Sequence, residues 1–194
     1  MQVAIVDYGA GNVQSVQFAL NRLGVTQSCV TQDPHVIQQA DKVIFPGQGA
    51  AAAALEKLEK AQLTTVLSSL KQPVLGICLG MQLFCTWTEE GDTNGLGIFP
   101  MRVSRFPAEV KHPQMGWNRV SQLRSDLFKG IEEDAYMYLV HSYFVPLSDY
   151  SVASATYGLA YSVAIQKDNF YGVQFHPEKS GAVGHQLLQN FLNI

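Results

Sequence analysis

The sequence predicts a three-layer α/β sandwich in which a mostly parallel sheet carries antiparallel additions. In the first half of the chain, short apolar runs alternate with segments of helical periodicity, and glycine-containing turns lie between several of them. Such alternation is typical of parallel strands that are joined by right-handed helical crossovers. In the second half, β-like runs follow one another along the chain, which favours antiparallel pairing.

The first half accounts for four strands and the helices between them. Short apolar runs predict strands at 2–7, 27–30, 42–45 and 73–75. Helical segments fill the intervals, at 13–23, from 34 onward, at 50–58, at 63–70 and at 81–85. The helix over 13–23 is the clearest of these, because its apolar residues recur at helical spacing and Gly24 follows as a stop signal.

Beyond Glu89 the pattern changes from helix to strand. A polar stretch at 89–95 is predicted to be a loop. The β-like runs lie around Val110 and at 117–120, 136–140, 152–157, 161–166 and 170–175, with a hairpin turn predicted at 167–169. An amphipathic helix over 181–192 closes the chain. We interpret the β-like runs as antiparallel additions to the parallel sheet.

Length and composition predict one domain that spans residues 1–194. With 47% hydrophobic residues, the chain is expected to bury roughly 70% of its unfolded surface. The net charge of −3 provides no electrostatic attraction to nucleic acid or to an anionic membrane. Val3-Ala4-Ile5-Val6 is expected to be a first strand and not a leader, and no apolar run approaches the ~20 residues that span a bilayer. We therefore expect a cytoplasmic protein without nucleic-acid or membrane partners.

The three cysteines, Cys29, Cys78 and Cys85, form a sparse set without the spacing of a metal site. Reduced thiols are expected, and we predict neither a metal nor a cofactor. Gly9-Ala10-Gly11 begins like a dinucleotide-binding loop, but Gln14 stands where that fingerprint has its third glycine. We interpret this segment as a close-approach turn between a strand and a helix.

Cys78 has the most informative sequence context in the chain. It lies between Gly76 and Gly80, where an apolar run gives way to a helical segment. This is the thiol form of the strand–turn–helix nucleophile elbow. In such a turn, the residues two before and two after the nucleophile have to be small, and the nucleophile's backbone is strained. The sequence thus predicts a nucleophilic thiol; the alternative is a buried structural cysteine beside packing glycines.

A thiol nucleophile needs a base, and His176 is the best candidate. It follows the predicted strand at 170–175, and Glu178 comes two residues later across a proline. Side chains two residues apart in an extended chain point the same way, so Glu178 can orient the imidazole toward Cys78. For His-Pro-Glu in isolation, a surface turn is the alternative. His141, which follows another predicted strand, is the rival base.

An anion site is predicted at Pro46-Gly47-Gln48-Gly49, the turn after the strand at 42–45. Two glycines allow backbone N–H groups to point at one spot, as an oxyanion hole requires. Because the carboxyl ends of parallel strands meet at one edge of a sheet, we expect this turn to lie beside Cys78. An ordinary turn is the alternative.

Three segments together resemble the signatures of the class I, triad-type glutamine amidotransferases. They are 46–49, 76–82 and 172–178, which occur in the family's order and span nearly the whole chain. Within this family, three segments are similar to the glutaminase subunits of imidazole glycerol phosphate synthase, an enzyme of histidine biosynthesis: 115–118, 138–143 and 176–180. The resemblance implies a flavodoxin-like fold.

The resemblance also implies roles for individual residues. Cys78 would attack the side-chain amide of glutamine and form a γ-glutamyl thioester, with His176 as base and Glu178 as its orienting group. The oxyanion hole would combine the backbone N–H of Leu79 with a second donor from Gly47, Gln48 or Gly49. Contacts to glutamine are implied for the side chains of Gln82 and Glu90 and for the backbone of Ser142 and Tyr143.

One position departs from the pattern of this subfamily. Gln48 stands where an apolar β-branched residue is usual in the oxyanion turn. Because the implied donor is a backbone N–H, catalysis does not depend on the side chain itself. A polar side chain beside the site can nevertheless form its own hydrogen bonds, so the identity of the second donor stays open.

A (β/α)8-barrel cyclase subunit is the implied partner, which would use the ammonia to make imidazole glycerol phosphate and AICAR. Asn12, Trp117, Tyr138 and Lys179 match family positions at that interface, although half-buried core aromatics are the alternative for Trp117 and Tyr138. Three other functions stay open: the glutaminase subunit of anthranilate or aminodeoxychorismate synthase, a flavodoxin-like cysteine hydrolase or chaperone, and a catalytically silent binding subunit.

Overall fold

The computed structural model describes residues 1–194 and contains thirteen β-strands and six α-helices. The strands are Val3–Val6 (β1), Ser28–Thr31 (β2), Lys42–Gly47 (β3), Val74–Cys78 (β4), Cys85–Thr88 (β5), Thr93–Asn94 (β6), Phe99–Arg105 (β7), Gln114–Val120 (β8), Ala135–His141 (β9), Tyr143–Phe144 (β10), Ser151–Tyr157 (β11), Leu159–Lys167 (β12) and Phe170–Val173 (β13). The helices are Val13–Arg22 (α1), Pro34–Gln39 (α2), Ala51–Lys60 (α3), Thr64–Ser69 (α4), Leu79–Leu83 (α5) and Gly181–Asn193 (α6). None of these helices has the length and apolar character needed to cross a bilayer.

A seven-stranded sheet forms the middle layer, in the order β11-β12-β13-β4-β3-β1-β2. The five strands from β13 to β2 run parallel to one another, and β12 and β11 extend them in antiparallel fashion. Gly47 at the end of β3 is opposite Cys78 at the end of β4. The carboxyl ends of β3, β4 and β13 therefore meet at one edge of the sheet.

Alternate side chains of the central strands enter two apolar clusters, one on each face. In β1, Val3 and Ile5 belong to one cluster, whereas Ala4 and Val6 belong to the other. Helices α1 and α6 cover the first face, and α2 to α5 cover the second. Burial on both faces is what a parallel sheet between helical layers requires. The predicted three-layer α/β architecture is confirmed.

Two smaller sheets lie outside the central one. Strands β10, β7, β5 and β6 form a four-stranded sheet, and β8 and β9 form a two-stranded ribbon. The inner face of the ribbon contributes Met137 and Leu139 to the first cluster. Its outer face leaves Met115, Trp117 and Tyr136 exposed. The ribbon thus attaches to the core on one side and presents large apolar side chains on the other.

The region after the elbow differs from the sequence prediction. Helix α5 ends at Leu83 and does not reach Cys85, which instead begins β5 opposite Phe99 of β7. The segment at 89–95 is not a loop throughout, because Thr93–Asn94 pairs with β5 as a short hairpin strand. Strand β7 itself was not predicted, although its buried residues alternate with partly or fully exposed ones.

The second half also differs in how its strands pair. Val110 lies in a turn, where its N–H donates to Pro107, and not in a strand. Strand β13 is parallel to β4, so it continues the parallel sheet and is not an antiparallel addition. Strands β8 and β9 pair with each other and not with the central sheet. Pairing partners are chosen by tertiary packing, which the local sequence pattern does not contain.

Candidate active site

Cys78 lies at the tightest turn of the chain. It ends β4 and immediately precedes α5, with φ +55° and ψ −110°, a combination that side-chain-bearing residues rarely adopt. A Cβ at Gly80 would run into the carbonyl oxygen of Phe45, and one at Gly76 would lie 2.5 Å from the ring of Phe84. The elbow therefore needs glycine at both positions, as its spacing predicts.

His176 and Glu178 form a buried pair. His176 Nδ1 lies 2.9 Å from Glu178 Oε1, and the two side chains are only 6% and 1% exposed. Because a carboxylate accepts, Nδ1 carries a proton and donates it, which leaves Nε2 as the other ring nitrogen. Nε2 is buried and makes no hydrogen bond. Burial alone lowers the pKa of His176, but the neighbouring Cys78 and Glu178 outweigh it and raise this pKa.

The sulfur of Cys78 has three polar neighbours. The side-chain nitrogen of Gln174 lies 3.6 Å from Sγ, and the carbonyl oxygen of Val140 lies 3.9 Å from it. His176 is the third, and it lines the same cleft as the sulfur. The arrangement offers the thiol both a base and a hydrogen-bond donor.

His141 differs from His176 in its hydrogen bonds and in the direction of its pKa shift. Its Nδ1 lies 2.7 Å from the carbonyl oxygen of Tyr143, and a carbonyl can only accept, so Nδ1 donates. Its Nε2 lies 3.3 Å from the hydroxyl of Tyr161. Burial lowers the pKa of His141 to about 4. Because both ring nitrogens are engaged, the geometry favours His176 over His141 as the base.

The turn after β3 lies against the elbow. Gly47 is opposite Cys78 in the sheet and so tightly enclosed that a Cβ there would collide with α5. Gly49 has φ +90°, and the side chain of Gln48 is exposed. The N–H groups of Gln48 and Gly49 donate to no backbone carbonyl. Leu79 is the first residue of α5, where a backbone N–H has no acceptor within the helix.

These groups surround a cleft of about 570 Å³. Eleven of the candidate residues named from the sequence line it, the rival base His141 among them: Gln48, Gly49, Cys78, Leu79, Gln82, Glu90, His141, Ser142, Tyr143, His176 and Lys179. Gly47 and Glu178 do not line the cleft. Instead, Gly47 is opposite Cys78 in the sheet, and Glu178 pairs with His176. Asn12, Trp117 and Tyr138 lie outside the cleft.

Gln82 and Glu90 each use part of their side chain for hydrogen bonds within the protein. The Gln82 side-chain nitrogen donates to the carbonyl of Tyr143 at 3.0 Å and to Gln174 Oε1 at 2.9 Å, which leaves its own Oε1 free. Glu90 is half-buried, and its Oε2 accepts from the N–H of Ala51 at the start of α3, at 3.0 Å. Burial raises the pKa of Glu90, and the hydrogen bond from Ala51 partly opposes this.

The four residues predicted at a partner interface differ in their contacts and in their exposure. Asn12 accepts from the N–H of Ser15 and caps α1. Trp117 is 55% exposed and packs edge-on against Tyr138, with ring centroids 6.1 Å apart. Lys179 is exposed at the rim of the cleft. The core interpretation is therefore wrong for Trp117, while Tyr138 is half-buried.

Two residues of the site were missed by the sequence analysis. Gln174 received no role, although the two-residue period of a strand places it on the same side as His176. Lys57 also lines the cleft, and its Nζ donates to the carbonyl of Gly9 at 2.5 Å. No local signal indicates Lys57, because it reaches the site from α3.

Comparison with solved structures supports the fold. A structure described as a glutamine amidotransferase superimposes with a TM-score of 0.77 at 15% identity, covering 100% of this chain and 98% of the other. The structure of PurLQS from Thermotoga maritima gives a TM-score of 0.74 at 17% identity, with 99% and 97% covered. At these identities the likeness concerns the fold alone.

Sequence comparison goes further. The imidazole glycerol phosphate synthase subunit HisH of Bacteroides fragilis is 50% identical, and that of Bacteroides thetaiotaomicron is 48% identical, each over 197 residues that cover 100% of both chains. The subunit of the same name from Photorhabdus laumondii is 46% identical, again over the full length of both chains. The family described as glutamine amidotransferase class-I matches residues 4–194. This chain therefore belongs to the class I glutamine amidotransferases.

Proposed function

We propose that this chain is the glutaminase subunit of an imidazole glycerol phosphate synthase. It hydrolyses glutamine to glutamate and ammonia, and it delivers the ammonia to a (β/α)8-barrel cyclase subunit in histidine biosynthesis. Family membership and the names of the full-length relatives support this assignment. The observation that carries the chemistry is the buried His176–Glu178 pair beside the strained Cys78 in one cleft.

The first half-reaction transfers the glutamyl group to sulfur. His176 takes the thiol proton at Nε2 while Cys78 Sγ attacks the carboxamide carbon of glutamine, so that an S–C bond forms and the carbonyl oxygen becomes an oxyanion. His176 then returns the proton to the amide nitrogen, the C–N bond breaks and ammonia leaves. Glu178 holds Nδ1 protonated and stabilises the imidazolium that exists between these steps.

The second half-reaction regenerates the enzyme. Water attacks the thioester carbon as His176 accepts a proton from it, and the S–C bond then breaks. The proton ends on the sulfur of Cys78, and glutamate is released. The same imidazole therefore serves in turn as base and as acid in both halves.

The oxyanion needs donors that are fixed before the reaction. The N–H of Leu79, at the start of α5, is one of them. The second comes from the turn of Gly47, Gln48 and Gly49; the N–H groups of Gln48 and Gly49 are the available ones because they have no backbone acceptor. Removing one such donor typically costs about 3–4 kcal/mol of transition-state stabilisation.

Glutamine is recognised by the groups around the cleft. The free Oε1 of Gln82 can accept a hydrogen bond from the substrate carboxamide. The half-buried Glu90 offers its second carboxylate oxygen to the α-amino group. The backbone of Ser142 and Tyr143, which lines the same cleft, holds the α-carboxylate.

The partner docks on the side of the molecule that presents the aromatic ribbon, with Asn12, Trp117, Tyr138 and Lys179 in the interface. Exposure of Trp117 supports this, because large exposed apolar side chains mark interaction surfaces when they cluster. The ribbon is also tied to the base: the N–H of His176 donates to the carbonyl of Tyr138 at 2.9 Å, and Ser180 Oγ connects the same two backbones. Docking on the ribbon therefore acts directly on His176.

The test is glutamate release from glutamine, measured with and without a cyclase subunit that carries its phosphoribosyl ligand. We expect weak activity of the isolated chain, strong stimulation by the liganded cyclase and no activity for Cys78→Ala. As a control, ammonium salt must support the cyclase reaction without this chain. Equal turnover with and without the cyclase, or stimulation by a chorismate-using subunit instead, would contradict the assignment.

A further inference from the structure

We propose that Gln174 is a fourth member of the catalytic group: its side-chain N–H donates to Cys78 Sγ and stabilises the ionised sulfur. The inference rests on the proposed function, in which Cys78 is the nucleophile. Gln174 is completely buried, and its side-chain nitrogen lies 3.6 Å from the sulfur. It does not line the cleft, so it reaches the reacting sulfur without contacting the substrate.

A chain of hydrogen bonds fixes the orientation of the Gln174 carboxamide. The carbonyl of Tyr143 can only accept, so the Gln82 atom that lies 3.0 Å from it is the amide nitrogen. That nitrogen also lies 2.9 Å from Gln174, which must present its oxygen there. The remaining atom of the Gln174 carboxamide, the NH2 group, therefore faces Cys78.

The carbonyl of Tyr143, where this series of hydrogen bonds begins, is itself fixed in position. The carbonyl of Tyr143 accepts a second hydrogen bond, from His141 Nδ1 at 2.7 Å. A carbonyl oxygen has two lone pairs, and here both are used. Gln82 and Gln174 are buried, so neither carboxamide can reverse without leaving buried polar groups unpaired, which is costly.

The direction of the hydrogen bond determines which form of the sulfur is favoured. A donor stabilises a negatively charged acceptor about twice as strongly as a neutral one, so the N–H of Gln174 favours the thiolate. The carbonyl of Val140, at 3.9 Å, is an acceptor and can interact favourably only with the thiol proton. Of these two neighbours, Gln174 is the one that prepares the sulfur for attack.

The same donor is useful twice in the reaction. Before acyl transfer it stabilises the thiolate that attacks glutamine. During hydrolysis of the thioester the S–C bond breaks and negative charge returns to the sulfur, which again faces the N–H of Gln174. Loss of this donor is therefore expected to lower kcat for glutamate release and to leave KM for glutamine nearly unchanged.

The test uses alkylation of Cys78 by iodoacetamide as a function of pH, followed by mass spectrometry of the cysteine peptides. Gln174→Met removes the donor at similar size, and Gln174→Glu keeps an acceptor for Gln82 but places a carboxylate oxygen at the sulfur. We expect the Cys78 rate at pH 7 to fall about tenfold in Gln174→Met, as for loss of a hydrogen bond to a charged group, and further in Gln174→Glu. The pH of half-maximal rate should move upward. Cys29, which is partly exposed, is the internal control and should not change.

The outcomes separate this inference from the proposed function. An unchanged pH profile of Cys78 in both variants would overturn the role of Gln174, as would a rise in KM with kcat retained in the cyclase complex. Glutaminase activity that survives Cys78→Ala would instead overturn the proposed function. Labelling of the buried Cys85 would show that a variant has unfolded. If Gln174→Met unfolds, the role of Gln174 is judged from the isosteric Gln174→Glu variant alone.

Discussion

Burial of His141 creates an acid sensitivity whose size follows from the structure. Its pKa is lowered by burial to about 4, against 6.5 for the exposed side chain. Between these two values the unfolded chain binds a proton that the folded chain does not bind. The free energy of unfolding therefore falls as the pH falls through this window. Between pH 7 and pH 5 the loss due to this one residue is about 2 kcal/mol.

The substitution His141→Asn isolates this contribution. Asparagine keeps a donor near the position of Nδ1 but cannot titrate in this range. Urea unfolding at pH 7 and pH 5 gives the drop in unfolding free energy for each protein, and we expect the drop of the variant to be smaller by about 2 kcal/mol. The titratable groups away from His141 are common to both proteins and cancel in the difference, whereas the charge of His176 adds to the lowering of the His141 pKa and is part of the contribution that is measured. Equal drops would refute the neutral, structural role of His141 and would restore it as a candidate base.

Three further predictions concern the base, the elbow and a buried thiol. Glu178→Gln removes the charge that supports the imidazolium, so glutamate release by the cyclase complex is expected to fall at least about 10²-fold. Gly80→Ala places a Cβ against the carbonyl of Phe45 and should lower the unfolding free energy in urea by at least about 3 kcal/mol. The matched control Gly24→Ala, with φ +78° in open space, should cost only about 1 kcal/mol. Burial raises the pKa of Cys85 to about 12, so iodoacetamide at pH 8 should modify Cys85 only after unfolding.

Each of these predictions has a clear contrary result. A Glu178→Gln complex with near-normal turnover would remove the orienting role of that carboxylate. Equal stability losses at Gly80 and Gly24 would show that close packing at the elbow is not what requires glycine. Rapid modification of Cys85 in the folded chain would show that its thiol is not held in the apolar core.

The elbow could be predicted from the sequence because its determinants are local. Gly76 and Gly80 are required by contacts within a few residues of Cys78 and by one neighbouring strand, so a pentapeptide carries the signal. The pairing of His176 with Glu178 was also local, because two residues of extended chain place both side chains on one side.

The parts that could not be predicted depend on contacts between distant segments. The parallel direction of β13 follows from its position beside β4, and nothing in the run at 170–175 specifies that neighbour. The orientation of Gln174 depends on Gln82 and on a carbonyl of Tyr143, which come from three separate parts of the chain. Strand β7 is a different case, because apolar and polar residues alternate along 101–105 in the sequence itself, which is a local strand signal.

Attack of Cys78 on glutamine is the step on which the proposed function depends most. The most direct measurement uses the diazoketone analogue of glutamine, which alkylates the attacking nucleophile, on the complex with the cyclase subunit, followed by peptide mass spectrometry. We expect one label per chain, at Cys78, with glutaminase activity lost in proportion, protection by glutamine and no label in Cys78→Ala. A label at Cys29, or activity lost without a label on Cys78, would contradict it.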